Sequence, residues 1–153
     1  MQRAAVEAYA GHADVEAHAA DCTAIHRLVS RHLATGLRGL GVDCPLRQGG
    51  FYCWPDFTAR LAGRYRGADA LARALLEEAR IATLPAPAFG EADERLALRL
   101  AACDYDGAAA LERHRRRPQA ERRDGDAAAA ARFVADAAPG IDAALGAFGR
   151  FLA

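Results

Sequence analysis

A long apolar periodicity between Asp14 and Leu40 constrains this fold more than any other feature of the sequence. Because an α-helix completes a turn about every 3.6 residues, apolar residues at steps of three or four, or multiples of them, fall on one stripe. Those residues are Val15, Cys22, Ile25, Val29, Leu33 and Leu37. The pattern predicts one long helix that packs along one side, ends near Gly39 and follows a short helix over Gln2–Ala10.

Strand patterns appear in four places after this helix. Val42–Leu46 and Phe51–Trp54 are predicted as two strands joined by a turn at Arg47–Gly50, because aromatic and β-branched residues favour strands and glycine favours turns. Two further strands are predicted over Ile81–Leu84, before a proline-rich loop, and over Leu96–Cys103.

Helical patterns lie between these strands. Asp56 is placed to cap a short helix that ends at Leu61. Asp69–Arg80 is predicted as a stronger helix, and its apolar face is formed by Leu71, Leu75 and Leu76.

The last third of the chain has three predicted parts. A helix begins at Asp106-Gly107 and runs to Arg113, and the charged stretch Arg113–Asp126 is predicted as a solvated loop. The tail Ala127–Leu152 is predicted as helix with a break at Pro139-Gly140. Its apolar stripe is formed by Phe133, Val134, Ile141, Leu145, Phe148 and Leu152.

Arg99 stands out in the strand predicted over Leu96–Cys103. Alternation in a strand places leucines and Ala102 on one face, and Arg99 on the other with Ala97 and Ala101. A planar guanidinium binds a carboxylate through two parallel hydrogen bonds, which fix orientation as well as supply charge. Arg99 is therefore a candidate carboxylate-binding residue. The alternative is an internal ion pair with Glu94 or Asp104.

Composition limits the function in two ways. The 153 residues are 52% hydrophobic and 26% charged with zero formal net charge, which favours a single globular domain and disfavours a general attraction to nucleic acid or anionic membrane. All 20 basic residues are arginine and none is lysine. Because a side-chain Schiff base with a carbonyl cofactor requires lysine, this chain by itself is expected to form none.

The four cysteines are Cys22, Cys44, Cys53 and Cys103, and no two of them form a CxxC pair. We interpret them as reduced core residues of a cytoplasmic protein. No run of about 18 apolar residues is present, so no membrane span is expected.

Three segments, taken in order, resemble one enzyme family. Gln48–Phe57 (QGGFYCWPDF) resembles the "GGFY-x-x-PDF" strand of the aspartate-aminotransferase-like, class I and II aminotransferases. Glu77–Gly90 (EEARIATLPAPAFG) is similar to their "LLEEARVAVLPGSAFG" segment, and Leu98–Ala102 (LRLAA) is similar to their "LRLSFA" strand. No segment is specific alone, but the three occur in order with fitting gaps. The resemblance covers essentially the whole chain, from the long helix to the terminal helix.

The resemblance implies a fold-type I small domain. Its fold would be α+β, with a small mixed or antiparallel sheet of about three to four strands packed against helices, a long N-terminal helix and a C-terminal helix. Residues 1–41 would be linking helices and residues 42–153 the small domain. The Arg of the "LRLSFA" strand, here Arg99, would bind the substrate α-carboxylate, while pyridoxal 5'-phosphate (PLP) would be held mainly by a large domain.

Two departures from the family pattern change this expectation. Pro85-Ala86-Pro87 replaces the usual Gly-Ser region, which stiffens the loop. The chain also begins near the start of the family's linking helices, so the PLP lysine is expected upstream. A complete enzyme would exchange an amino group between an amino acid and a 2-oxo acid, as a homodimer or with the missing large domain. This chain alone would bind no PLP and be inactive. The alternative is a non-catalytic remnant or an interaction domain from a truncated or split gene.

Two other sites are weaker candidates. Cys22 and His26, with His18 or His32, have helical spacing that suits a zinc site, although such residues more often belong to a core or surface. The basic run His114–Arg117 with Arg122-Arg123 suits a nucleic-acid site, but acidic residues interleave.

A cysteine and an aromatic run could also serve a site, but both are interpreted as structural. Cys53 has no histidine partner evident in the sequence that would make it a nucleophile. Phe51, Tyr52 and Trp54 are interpreted as sheet core rather than as a ligand platform.

Overall fold

A computed structural model describes residues 2–46, 49–118 and 127–153. Within these residues the fold is α+β, as predicted, with seven α-helices and three short strands. In chain order the elements are α1 (Gln2–Ala8), α2 (Ala13–Gly39), β1 (Tyr52–Cys53), α3 (Thr58–Leu61), α4 (Ala68–Ala79), β2 (Leu84–Pro85), a 3-10 turn (Ala86–Phe89), β3 (Leu98–Ala101), α5 (Gly107–Arg116), α6 (Ala127–Ala137) and α7 (Pro139–Leu152).

The three strands form an antiparallel sheet in the order β1-β3-β2. Tyr52 lies opposite Ala101 between β1 and β3, and Leu84 lies opposite Arg99 between β2 and β3. The Arg-bearing strand is therefore central, with a neighbour on each side.

The prediction of a strand over Val42–Leu46 is wrong. Only an isolated bridge joins Asp43 to Asp56, whose amide donates to the Asp43 carbonyl at 2.7 Å. Pro45 has no N–H to give to a strand ladder, which explains why pairing stops beside Asp43. The predicted turn residues Arg47 and Gln48 lie outside the described residues.

The strand predicted over Ile81–Leu84 lies later in the chain, at Leu84–Pro85. The reason is the end of α4, where Arg80 takes a left-handed conformation (φ 59°) and the Ile81 amide donates to the Leu75 carbonyl. The residues directly after α4 therefore complete its C-terminus instead of pairing with β3. Pro85 is tolerated because β2 lies at the edge of the sheet.

Helix α2 supplies one wall of the core and packs against α5, α6, α7 and β1. Four residues of its predicted stripe are at most 3% exposed: Ile25, Val29, Leu33 and Leu37. The N-terminal end of the stripe differs from prediction, since Val15 is 37% exposed and Cys22 is only partly buried. All of residues 2–20 are exposed. The helix therefore extends beyond the body it packs on.

The predicted helix caps agree with the structure more closely than the predicted apolar faces do. The Asp106 carboxylate accepts from the Ala108 and Ala109 amides at the start of α5, both at 3.0 Å, and Asp56 accepts from the Thr58 amide at the start of α3 at 2.9 Å. In α4, Leu71 and Leu75 are buried as expected, but Leu76 is 50% exposed because it lies about 100° around the helix from Leu75.

The predicted solvated loop begins later than expected. Residues 113–116 form the last turn of α5, and His114 is 2% exposed with its ring 6.0 Å from that of Phe133 on α6. Residues 119–126 lie outside the described residues.

The prediction that all four cysteines are core residues was also too broad. Cys44 and Cys53 are buried, whereas Cys103 is exposed because it lies beyond the end of β3.

Candidate functional site

Strand β3 presents Arg99 on the face that the sequence predicted. Leu98 and Leu100 are at most 4% exposed and point into the core, whereas Arg99 is half-buried on the opposite face. Burial of the two leucines fixes the strand, and strand alternation then fixes the side from which Arg99 projects.

Two aromatic rings contact the Arg99 guanidinium. Its central carbon, Cζ, lies 4.3 Å from the ring centre of Tyr52 and 4.4 Å from that of Phe89. Tyr52 comes from β1 and Phe89 from the turn after β2, so the two rings approach from the two sides of β3. Both distances are well inside the range of about 6 Å at which a cation is attracted to an aromatic face.

The interpretation of Phe51, Tyr52 and Trp54 as sheet core is therefore wrong for Tyr52. Tyr52 is 39% exposed, Phe51 and Trp54 are half-buried, and Cys53 is the residue of this run that enters the core. The alternation of β1 was the signal that places Tyr52 and Cys53 on opposite faces. Phe89 was not singled out as a site residue, although it lies in one of the three family-like segments.

Among the described residues, no carboxylate oxygen lies within 4.0 Å of an Arg99 guanidinium nitrogen. The predicted alternative, an internal ion pair with Glu94 or Asp104, is not observed. Arg95 is different: its Nε donates to Asp56 Oδ2 at 2.7 Å and its Nη1 donates to Glu91 Oε2 at 3.2 Å.

A polar network around Asp56 anchors the start of β3. Burial raises the pKa of Asp56, but hydrogen bonds from Arg95 and Thr58 outweigh burial and lower that pKa below its usual value of 3.8. The Leu96 amide donates to Thr58 Oγ1 at 3.0 Å, and the Phe57 amide donates to the Leu96 carbonyl at 2.9 Å. The segment just before β3 is therefore hydrogen-bonded to the start of α3.

The proline-rich loop places Phe89. Pro85 and Pro87 restrict their own φ angles, and the Ala86 amide donates to the carbonyl of Ala97, the residue before β3, at 2.9 Å. Gly90 then ends the turn with φ 83°, a conformation that glycine adopts without strain. The loop that the sequence predicted to be stiff thus brings Phe89 to the Arg99 side of the sheet.

Comparison with known sequences identifies the family. The sequence model of "Aminotransferase class I and II" matches residues 1–110, which include Tyr52, Phe89 and Arg99. The chain belongs to this aminotransferase family. Aspartate aminotransferase of Pinus pinaster is 41% identical over an alignment of 59 residues, and the match covers 35% of this chain and 12% of the pine protein.

A solved structure aligns with a larger share of the chain. The aromatic aminotransferase of Pyrococcus horikoshii OT3 aligns with 83% of this aminotransferase chain and 23% of its own, with 19% identity and a TM-score of 0.49. The chain spans less than a quarter of the length of either protein.

Complete enzymes of the family use PLP. This aminotransferase chain does not supply the group that holds PLP as an imine, because its sequence contains no lysine. Its residues therefore do not fit the cofactor's covalent anchor.

Two of the candidate zinc ligands, His18 and Cys22, contact each other, whereas His26 and His32 have other partners. His18 lies 3.6 Å from the Cys22 sulfur, the His26 ring nitrogen Nδ1 lies 2.9 Å from the Tyr105 hydroxyl, and His32 Nε2 lies 2.7 Å from Asp142. In the part of the chain that the structure describes, no three potential metal ligands cluster together.

The candidate basic run contacts the protein itself. Arg115 Nε donates to Asp21 Oδ2 at 2.8 Å, Arg116 pairs with Glu112, and Arg117 Cζ lies 5.0 Å from the Phe133 ring centre. The Arg115 contact joins α5 to α2 and the Arg117 contact joins the end of α5 to α6, whereas the Arg116–Glu112 pair lies within α5. Arg122 and Arg123 lie outside the described residues.

Among the described helices, none is long and apolar enough to cross a bilayer.

Proposed function

We propose that this aminotransferase chain contributes the substrate-carboxylate site of an enzyme that exchanges an amino group between an amino acid and a 2-oxo acid. Arg99 is the residue that binds the α-carboxylate. The observation that carries this proposal is a half-buried guanidinium that lies between two aromatic rings and has no acidic partner among the described residues.

The chemistry follows from the guanidinium itself. Its N–H donors lie in the plane of the group, and a carboxylate accepts two of them in parallel. Aromatic faces attract the cation but form no hydrogen bonds that compete with the carboxylate. A hydrogen bond to a charged group contributes about 1.5–3 kcal/mol, so loss of Arg99 should weaken carboxylate binding by about tenfold or more.

Pyruvate is a suitable probe because it is a small 2-oxo acid with one carboxylate. We expect pyruvate to shift the side-chain NMR resonances of Arg99 in the full chain, and the R99A variant to bind it at least about tenfold more weakly. R99K should recover only part of the affinity, because an ammonium group lacks the planar fork. Circular dichroism spectra of each variant would establish that it folds.

Arg95 provides a matched control on the same segment. Because its guanidinium is already bound to Asp56 and Glu91, R95A should bind pyruvate with nearly unchanged affinity. Equal weakening in R95A and R99A would indicate general charge attraction and would refute the site.

We propose as partners a PLP-binding large domain or a second copy of the chain in a homodimer, and we propose that this chain alone is inactive. Its lack of lysine supports this part of the proposal. Incubation with PLP, borohydride reduction and mass spectrometry should reveal no specific reduced adduct on a side chain. A stoichiometric adduct at one side chain would contradict the proposal.

A second candidate function, an interaction domain, is favoured by residues 2–20. All of them are exposed, including Val6 at 68% and Tyr9 at 91%. Exposed apolar side chains of this kind are typical of protein contacts. Light scattering after size-exclusion chromatography should show concentration-dependent self-association that V6D and Y9D reduce, and a strictly monomeric chain would exclude self-association as this function.

A further inference from the structure

We propose that Tyr52 and Phe89 are positioning residues that hold the Arg99 guanidinium in place before a carboxylate binds. The proposal rests on the proposed function of Arg99. It adds that the two rings, and not an acidic residue, set the orientation of this cation.

An arginine on an open sheet face needs such support. Its side chain rotates about several bonds, and fixing it upon ligand binding costs conformational entropy. A buried or adjacent carboxylate is the common means of fixing an arginine, but it would also occupy the N–H donors that a substrate needs. Two aromatic rings at 4.3 and 4.4 Å fix the cation and leave its donors for an anion.

The strand register explains how the rings reach Arg99. Tyr52 lies opposite Ala101, which is two residues from Arg99 on the same face of β3. Because Ala101 has a small side chain, the Tyr52 ring can lean diagonally over Arg99. On the other side, the turn after β2 carries Phe89 to Arg99, since Leu84 at the start of β2 pairs with Arg99.

Each of the two rings is itself supported by another ring. The Trp54 ring meets the Phe89 ring nearly edge-on, with centres 5.3 Å apart and an interplanar angle of 74°. The Phe51 ring lies 4.4 Å from the Tyr52 ring. Aromatic pairs of this kind add stabilisation beyond that of the area they bury. Tyr52 and Phe89 therefore each have a stabilising ring contact besides Arg99, although both are about 40% exposed.

The test uses the full chain and two independent measurements. The first is the NMR shift of the Arg99 side-chain protons without ligand, because protons above an aromatic ring are shifted upfield. The second is the affinity for pyruvate. Y52L and F89L should each reduce the upfield shift and weaken pyruvate binding by about two- to fivefold, which is the effect of losing one exposed cation–π contact.

Conservative variants distinguish ring stacking from general packing. Y52F and F89Y keep an aromatic ring and should retain both the Arg99 shift and the affinity. Y65L is a matched control, because Tyr65 stacks on Phe151 and contacts Arg64 elsewhere in the molecule. It should alter neither measurement.

The outcomes separate this inference from the proposed function. If Y52L and F89L leave the Arg99 proton shifts and the pyruvate affinity unchanged, the inference is overturned while the carboxylate site stands. If the wild-type chain does not bind pyruvate but the upfield shift disappears in Y52L and F89L, the carboxylate site fails while the positioning of Arg99 by its rings is supported.

Discussion

Arg95 and Arg99 lie four residues apart on one segment, yet they have opposite surroundings. Arg95 donates to two carboxylates, those of Asp56 and Glu91. Arg99 lies between two aromatic rings, with no acidic partner among the described residues. One guanidinium therefore fastens the fold through ion pairs, and the other is held by ring contacts.

This difference shows why a count of charges does not identify a binding site. The chain has equal numbers of basic and acidic residues, 20 of each. Arg115 and Arg116, in the most basic segment, are paired with Asp21 and Glu112. A cation is available for recognition where no internal acid reaches it, and aromatic rings can hold it there.

The largest expected effect comes from Leu98, which lies between the two arginines and is fully buried. L98A removes core contacts beneath β3 and should lower the free energy of unfolding by about 2–5 kcal/mol. Urea denaturation measures this loss. Leu84 is 45% exposed on the edge strand, so L84A should cost about 0.5 kcal/mol or less. Equal losses would mean that burial of Leu98 is not what holds β3, and with it Arg99, in place.

The next effect tests the paired arginine through its main partner. D56N removes the charge that accepts hydrogen bonds from Arg95 and Thr58, and should cost about 1–3 kcal/mol at neutral pH. Because hydrogen bonding lowers the folded-state pKa of Asp56, its contribution is present above the usual value of 3.8 and is lost as pH falls through the folded pKa.

Unfolding curves at neutral and strongly acidic pH would check this dependence. The difference between wild type and D56N should shrink in acid, whereas a difference that grows in acid would contradict it. E91Q is the control, because Glu91 is the more exposed partner of Arg95 and should contribute little.

Apart from the control variants, the smallest effect is expected for R95A. The Arg95 side chain is 47% exposed, and Asp56 keeps its hydrogen bond from the Thr58 amide after the arginine is removed. The loss should be about 0.5–1 kcal/mol. Urea midpoints of R95A and D56N measured together would test the order, and a larger loss in R95A would show that Arg95 and not Asp56 organises the network.

Helices and strands were predictable where interactions between residues close in sequence are enough to specify them. The α2 pattern from Ile25 to Leu37, the Asp106 cap and the alternation of β3 each depend on neighbouring residues, and the structure agrees with them. The prediction failed where a local rule was overlooked, as with Pro45 in the expected strand.

Other errors came from distant contacts. His114 was assigned to a solvated loop because its neighbours are charged, but its ring packs on Phe133 and lies 3.8 Å from Asp21. Burial of a residue in a charged helix depends on which helix packs against it, and that is not a property of the segment itself.

The sequence by itself determined the long helix, the face of the strand that carries Arg99 and the lack of any lysine for an imine. Only the tertiary structure decided that Arg95 would form an ion pair with Asp56 and that Arg99 would lie between Tyr52 and Phe89. The physical reason is range: helix and strand periodicity act over a few residues, whereas ion pairs and ring contacts depend on segments that folding brings together.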